Sequence, residues 1–265
     1  MNYRHAYHAG NFADVVKHVA LVAILTHLRK KAAPFAVIDT HAGRGAYDLS
    51  GEEARKTGEA ASGIGRLAGL APPLPQALAD YLAIAGQEAA YPGSPLIAAR
   101  MLRPQDRLVA IERHPEEAAP LKAVLAPWRK ASVESADGYL RLPKLLPPPE
   151  RRGLVLMDPP FEALDEFERL GAAVRAAHRR FATGIYLVWY PVKSHSAAEA
   201  FVGEALTTGA PALTIEAAVN APDGKLARAG ILVLNPPFGF EAAMTAVLAR
   251  LEPVLEARTR LEIRT

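Results

Sequence analysis

The chain has 265 residues, half of them hydrophobic, with 31 Lys and Arg against 28 Asp and Glu and a formal net charge of +3. That can fill a sizeable core in one domain with an insertion or in two small domains, and the mild basic excess permits a nucleic-acid partner without requiring one. The absence of Cys excludes a disulfide scaffold and a cysteine metal site and points to the cytoplasm, while the polar start and the lack of any apolar run of membrane-spanning length lead us to expect neither a signal peptide nor a membrane partner.

In chain order, Val15, Val16, Val19, Val22, Ala23 and Ile24 have helical spacing and predict a helix over 12–31. The basic run Arg29-Lys30-Lys31 sits at its C-terminal end, where cations suit the helix dipole. Residues 35–38 read as a first strand, running into Asp39-Thr40-His41-Ala42-Gly43-Arg44-Gly45. From Asp48 to Tyr91 the alternation breaks. Residues 51–68 and 74–89 look helical around Pro72-Pro73-Leu74-Pro75, which predicts a helical insertion over 48–91 inside a domain made of 1–47 and 92–265. Ser94-Pro95 has the pattern of a helix start, with the helix running through Met101.

The alternation then resumes. Strands are expected over 107–111, ending at Glu112, over 132–134, leading to Asp137-Gly138, and over 154–157, ending at Asp158. Helices are expected over 115–128 and 162–181, a strand over 184–189 and a helix over 197–207. Strands over 213–219 and 230–234, with Pro222-Asp223-Gly224 between them, predict an antiparallel hairpin, and a helix over 241–257 follows. Strands alternating with helices imply an α/β fold with a parallel sheet.

The most informative stretch is Leu154-Val155-Leu156-Met157-Asp158-Pro159-Pro160-Phe161. A buried strand delivers a carboxylate to the C-terminal edge of the sheet, where open α/β sheets bind ligands. The two prolines stiffen the chain and remove two donors. The Asp158 carboxylate, the Pro159 carbonyl and the Phe161 ring then form a cradle for a planar amine. Two acceptors that draw the hydrogens of an adenine amine out of the ring plane localise its lone pair for attack on a methyl group. Stacking on Phe161 would add about 1–3 kcal/mol. The bland alternative is a strand-end turn with a capping Asp. Asp-Pro-Pro-Phe is similar to the motif of amino methyltransferases that use S-adenosylmethionine.

Other residues gather at the same predicted edge. The glycine loop after Asp39 allows close backbone approach, as a dinucleotide site or a plain turn would also require. Glu112 can accept from two ribose hydroxyls, and Asp137-Gly138 from an adenine amine, although each acid taken alone is more often a cap or a surface charge. At the N-terminus, Tyr3, Arg4, His5, His8, Lys17 and His18 cluster. Arg4 and Lys17 suit phosphate, and Tyr3 suits stacking on a base. Metal binding through His5 and His8 lacks a set of partners beyond Asp14, so no metal site is assigned. A solvated helix start is the remaining alternative.

Taken together, Tyr3-Arg4-His5-Ala6-Tyr7-His8-Ala9-Gly10-Asn11, Asp14, Lys17-His18, Asp39-Thr40-His41-Ala42-Gly43 and Tyr91-Pro92-Gly93-Ser94-Pro95 resemble the RlmJ family of 23S ribosomal RNA adenine-N6 methyltransferases. Ala136-Asp137-Gly138, Asp158-Pro159-Pro160-Phe161, Arg180-Phe181-Ala182-Thr183-Gly184 and Trp189-Tyr190-Pro191 continue the resemblance over nearly the whole chain. It implies a Rossmann-like class I methyltransferase sheet with a closing antiparallel hairpin and a small helical insertion. It implies S-adenosylmethionine bound by His18, His41, Ser94, Glu112, Asp137, Gly138 and Asp158. It implies catalysis at Asp158, with Pro159 and Phe161, and RNA contact through Tyr3, with Arg4, His5 and Lys17 beside it. The expected partner is 23S ribosomal RNA, naked or partly assembled, with no obligate protein partner evident. Phe161 stands where the family often has Tyr, and the segment from Leu261 matches poorly. Two other functions remain open: a DNA adenine methyltransferase using the same cradle, and an RNA-binding protein that kept the fold without the chemistry.

Overall fold

Every residue of Gly153–Met157 is buried, because this strand lies inside a sheet covered on both faces. In the computed structural model, which describes residues 4–86, 90–222 and 224–264, the strands in chain order are β1 (Ala36–Asp39), β2 (Ala46–Tyr47), β3 (Tyr91–Pro92), β4 (Arg107–Ile111), β5 (Ala131–Glu134), β6 (Gly153–Met157), β7 (Ile185–Pro191), β8 (Ala212–Val219), β9 (Arg228–Leu234) and β10 (Ala257–Arg264). The helices are α1 (Phe12–Arg29), α2 (Glu52–Thr57), α3 (Glu59–Ser62), α4 (Gln76–Ala85), α5 (Ser94–Met101), α6 (Pro115–Leu125), α7 (Gly138–Leu145), α8 (Glu166–Arg180), α9 (His195–Leu206) and α10 (Phe240–Leu255).

The main sheet has the order β10-β8-β9-β7-β6-β1-β4-β5, and β2 pairs β3 separately. Strands β5, β4, β1, β6 and β7 are parallel. Strand β9 runs antiparallel to β7, and β8 antiparallel to β9, as the predicted hairpin requires. This is the Rossmann-like α/β sheet expected of a class I methyltransferase. The chain steps from β1 to β4 and β5 on one side and returns through β6 on the other. The crevice between the carboxyl ends of β1 and β6 is thus a topological switch point, the place where such sheets bind ligands.

Side chains alternate across the sheet with a period of two. Val37, Leu108, Leu154 and Leu156 face α1, α4, α5 and α10 in one core. Ile38, Val109, Val155 and Met157 face α7, α8 and α9 in the other. Helix α1 is apolar nearly all round, and Val15, Leu21, Val22, Ile24 and Leu25 are fully buried, so the helix is a core element. Its start is capped by Asn11, whose side chain accepts from Asp14 N.

The structure departs from the sequence expectations in several places, among them the unexpected β2–β3 pair and Gly93, not Ser94, as the cap of α5. Residues 51–68 form two short helices and a 3-10 segment, because Gly58 (φ 68°) and Gly63 interrupt the path. Helix α7 is absent from the expectations: its short length and Pro143 hide it, yet Asp137 caps its start. The C-terminal residues, placed partly in a helix and otherwise unassigned, form β10, an eight-residue edge strand paired with β8. Its alternating charges conceal it from any search for apolar runs. The turn residue Asp223 and residues 87–89 of the expected second insertion helix lie outside the described residues, as does Tyr3.

Candidate active site

The site is built from the first turns of α1 outward. Asp14, Lys17 and His18 lie three and four residues apart on a helix face that is otherwise core, and all three are buried. Buried charges persist when paired, and here they are. Lys17 Nζ donates to Asp14 Oδ1 at 2.7 Å and to Asp158 Oδ2 at 2.5 Å. Asp14 Oδ2 also takes His5 Nε2 at 2.9 Å and the Gly10 N–H at 2.9 Å. Burial alone would raise the Asp14 pKa, but His5, Lys17 and His18 outweigh it and hold the carboxyl well below its usual range. Burial likewise works against the Lys17 ammonium, and Asp14 and Asp158 overcome it, raising the pKa above the ordinary lysine value. One lysine therefore ties the N-terminal helix to the end of β6. Asp158 Oδ1 meets no hydrogen-bond donor among the described residues.

Around this pair the sheet edge presents the other expected residues. His18 is buried, its Nδ1 sharing a 2.8 Å hydrogen bond with the Tyr91 hydroxyl, which in turn meets the Tyr81 hydroxyl at 3.0 Å. Burial lowers the His18 pKa to about 3, so the imidazole is neutral. His41 is held by the Thr40 hydroxyl at 2.8 Å, and burial lowers its pKa to about 4. Ser94 Oγ donates to Asp39 Oδ2 at 2.7 Å. Burial pushes the Asp39 pKa up to about 7, against the lowering effect of that bond, and the nearby Asp158 charge pushes it further. Glu112, at the end of β4, accepts the Gly43 N–H at 2.8 Å and the His114 N–H at 2.7 Å, one on each oxygen. A carboxylate offers about four acceptor positions, so two remain for a diol.

Asp137 is a helix cap, and it also lines the cavity at the sheet edge. Its Oδ1 caps α7 through Tyr139 N at 2.9 Å and Leu140 N at 3.2 Å. Its Oδ2 lies 3.6 Å from both Arg113 and Arg169. Gly138 is required by close approach, since a Cβ there would fall 2.1 Å from the Thr40 carbonyl oxygen. Together with His41, Gly43, Ser94 and Tyr139, these residues line one cavity that ends at Lys17 and Asp158.

A second cavity begins on the other side of Asp158. It shares Arg4, His5, Lys17, Asp158, Pro160 and Glu162 with the first, and adds Phe161, Trp189, Pro191, Lys193 and Arg228. Phe161 adopts φ 51°, an uncommon conformation for a side-chain-bearing residue. Its ring sits edge-on to Phe167 at 4.8 Å and to Trp189 at 5.9 Å, forming an aromatic wall. Arg4 lies 3.7 Å from Glu53 and from Glu116 at the rim. His5 and His8 address different carboxylates, Asp14 and Glu59.

Sequence reasoning gave no role to Asp39 or Tyr139 and, beyond quoting Asp14 in the family motif, weighed it only as a possible metal partner. Asp14 had a detectable signal: three ionisable residues at i, i+3 and i+4 on a helix whose every other face is apolar. Tyr139 had none, because α7 was not predicted. Its ring packs on His41 at 5.0 Å and under the Arg169 guanidinium at 4.8 Å, while its hydroxyl donates to Glu166 at 2.7 Å.

The parallel sheet, the ligand crevice at its switch point and the Asp-Pro-Pro-Phe turn beside a second cavity define a class I methyltransferase that uses S-adenosylmethionine. The family model described as "Ribosomal RNA large subunit methyltransferase D, RlmJ" matches residues 32–262, and the chain belongs to this family. It is 40% identical over 258 residues to a protein of Escherichia coli (strain K12) named "Ribosomal RNA large subunit methyltransferase J", covering 94% of this chain and 91% of that one. A relative of the same name from Haemophilus influenzae is 40% identical over 266 residues, covering 96% and 94%. The crystal structure of a protein from Legionella pneumophila str. Philadelphia 1 superposes with a TM-score of 0.91 at 34% identity, covering 97% of this chain and 99% of that chain.

Proposed function

We propose that this protein transfers a methyl group from S-adenosylmethionine to the N6 amine of an adenine in 23S ribosomal RNA. The observation that carries the reading is the position of Asp158, on the wall shared by two cavities. One cavity is lined by acids and close-approach glycine suited to a nucleoside and an amino-acid group. The other is aromatic and basic.

The residues of the first cavity fit the cofactor. Glu112 would take the ribose hydroxyls, Asp137 and Gly138 the adenine edge, and Ser94, oriented by the buried Asp39, the charged methionine end, with His18 and His41 packing between them as neutral rings. When bound there, S-adenosylmethionine supplies an electrophilic methyl on a sulfonium.

The chain's own part follows from Asp158 and its neighbours. Lys17 fixes Asp158 Oδ2, so the carboxylate cannot rotate away, and Oδ1 accepts one hydrogen of the incoming amine. The Pro159 carbonyl accepts the other. Phe161, backed by Phe167 and Trp189, holds the base plane. The substrate adenine must leave its stack to reach the turn, which favours RNA that is naked or only partly assembled into a ribosome, acted on in the cytoplasm. No helix among the described residues is long and apolar enough to cross a membrane. Arg4 and His5, which line both cavities, stand at the cavity entrance in this reading. Lys17 serves the carboxylates and not a phosphate, because both carboxylates already hold its buried ammonium.

The test is transfer of a labelled methyl group to 23S ribosomal RNA lacking this modification, followed by digestion to nucleosides. Label in N6-methyladenosine is expected. Label in DNA only, or in another nucleoside, would overturn the reading.

A further inference from the structure

The reversal of β8 and β9 has an effect on the active-site edge. Because β9 runs antiparallel to β7, its first residue, Arg228, emerges beside the last turn of β7 and not at the far edge. The Val192 N–H donates to the Arg228 carbonyl at 2.9 Å, which places Lys193 and Arg228 as neighbours on adjacent strand ends. Both are exposed, both line the second cavity, and neither has an ion-pair partner among the described residues. Trp189, four residues before Lys193 on β7, is part of the aromatic wall against Phe161.

The acids of the same cavity are otherwise engaged. Asp14 and Asp158 hold Lys17, and Glu59 holds His8 and Asn11. Glu162 also has an interaction within the chain. Lys225, on the β8–β9 turn, is drawn to the Thr57 carbonyl at 2.7 Å. Two solvated cations at neighbouring strand ends, next to a cradle for one flipped base, match the needs of a polynucleotide: neutralise backbone phosphates and leave the bases free.

Resting on the proposed reaction, we infer that Lys193 and Arg228 clamp the phosphates flanking the target nucleotide. The test uses the full chain and the double variant K193Q/R228Q with a fluorescently labelled single-stranded RNA oligonucleotide across a salt series. Two lost phosphate contacts should weaken binding on the order of tenfold at physiological salt and flatten the slope of log affinity against log salt by about 1.4. In methyl transfer the loss should fall on KM for RNA and not on kcat, with cofactor affinity unchanged. K193R/R228K should restore the slope. An unaltered affinity and slope in K193Q/R228Q would overturn the clamp. Wild-type protein that binds RNA with the expected slope change between variants, yet transfers no methyl to it, would instead sink the proposed reaction and leave the clamp standing.

Discussion

Asp158 and Asn235 each open an Asp/Asn-Pro-Pro-Phe sequence, and their environments separate them. Asp158 stands at the carboxyl end of β6, held by Lys17. Asn235 follows β9 at the opposite edge, where β9 Leu234 pairs with β7 Tyr186, and its Nδ2 donates to the Ala182 and Gly184 carbonyls at 2.8 and 2.7 Å. It fastens a loop. Asp158→Ala should lose nearly all methyl transfer while remaining folded by circular dichroism. Asn235→Ala should keep substantial activity and lose about 1–3 kcal/mol of stability from the unpaired carbonyls; the reverse pattern would misplace the active site. Asp39 supplies a second prediction. Burial raises its pKa to about 7, so the folded state binds this proton more tightly than the unfolded chain does. Stability contributed at this site is therefore highest at low pH, falls as pH rises from about 4 to about 7, and stays low above. Asp39→Asn removes the titration while keeping an acceptor for Ser94. Its melting temperature should exceed the wild type's more at about pH 8 than at about pH 5, by roughly 2–4 °C per kcal/mol recovered. Equal shifts at both pH values would show that Asp39 does not titrate in this range.

At the scale of elements, β10 shows how a sheet edge is kept harmless. Its partner β8 is buried through Ala212–Ile215, all but Thr214 apolar, and an open β8 edge would invite pairing with another chain. The covering strand carries Arg258, Arg260, Glu262 and Arg264. Glu252 anchors its start, accepting from Thr259 N at 2.9 Å and Thr259 Oγ1 at 2.6 Å. Arg264 grips Glu199 of α9 at 2.8 and 3.2 Å. A chain ending at Leu255 should therefore melt at lower temperature and self-associate, detectable by light scattering. A monomer of unchanged melting temperature would show β10 to be dispensable. The same element explains a limit of reading sequence: a polar edge strand has neither the apolar run nor the clean alternation by which strands are recognised.

At the scale of the molecule, the residues expected to form an insertion are bound into the main core. Leu78 and Tyr81 of α4 are fully buried in the cluster that holds α1 and α5, and the Tyr81 hydroxyl reaches Tyr91 and, through it, His18. We expect 48–91 to unfold together with the sheet in one cooperative transition, with far-UV and aromatic near-UV signals coinciding. An early, separate loss of helix would identify an independent subdomain.

The strand–helix alternation and the apolar runs were legible in the sequence because burial on both faces demands continuous Val, Ile, Leu and Met. The acids at the ends of the strands around 107–111 and 154–157 were legible for the same reason: each marks where such a run meets the crevice. By its own residues the chain determined the α/β class, the hairpin and the Asp-Pro-Pro-Phe turn. Only the tertiary structure decided that Lys17 serves Asp158, which lies 141 positions away. It also decided that Asp137 divides its oxygens between a helix cap and two arginines, and that Lys193 and Arg228 share a rim. Periodicity registers which face of an element is buried, whereas charge pairs form across elements, and their partners are chosen by strand order.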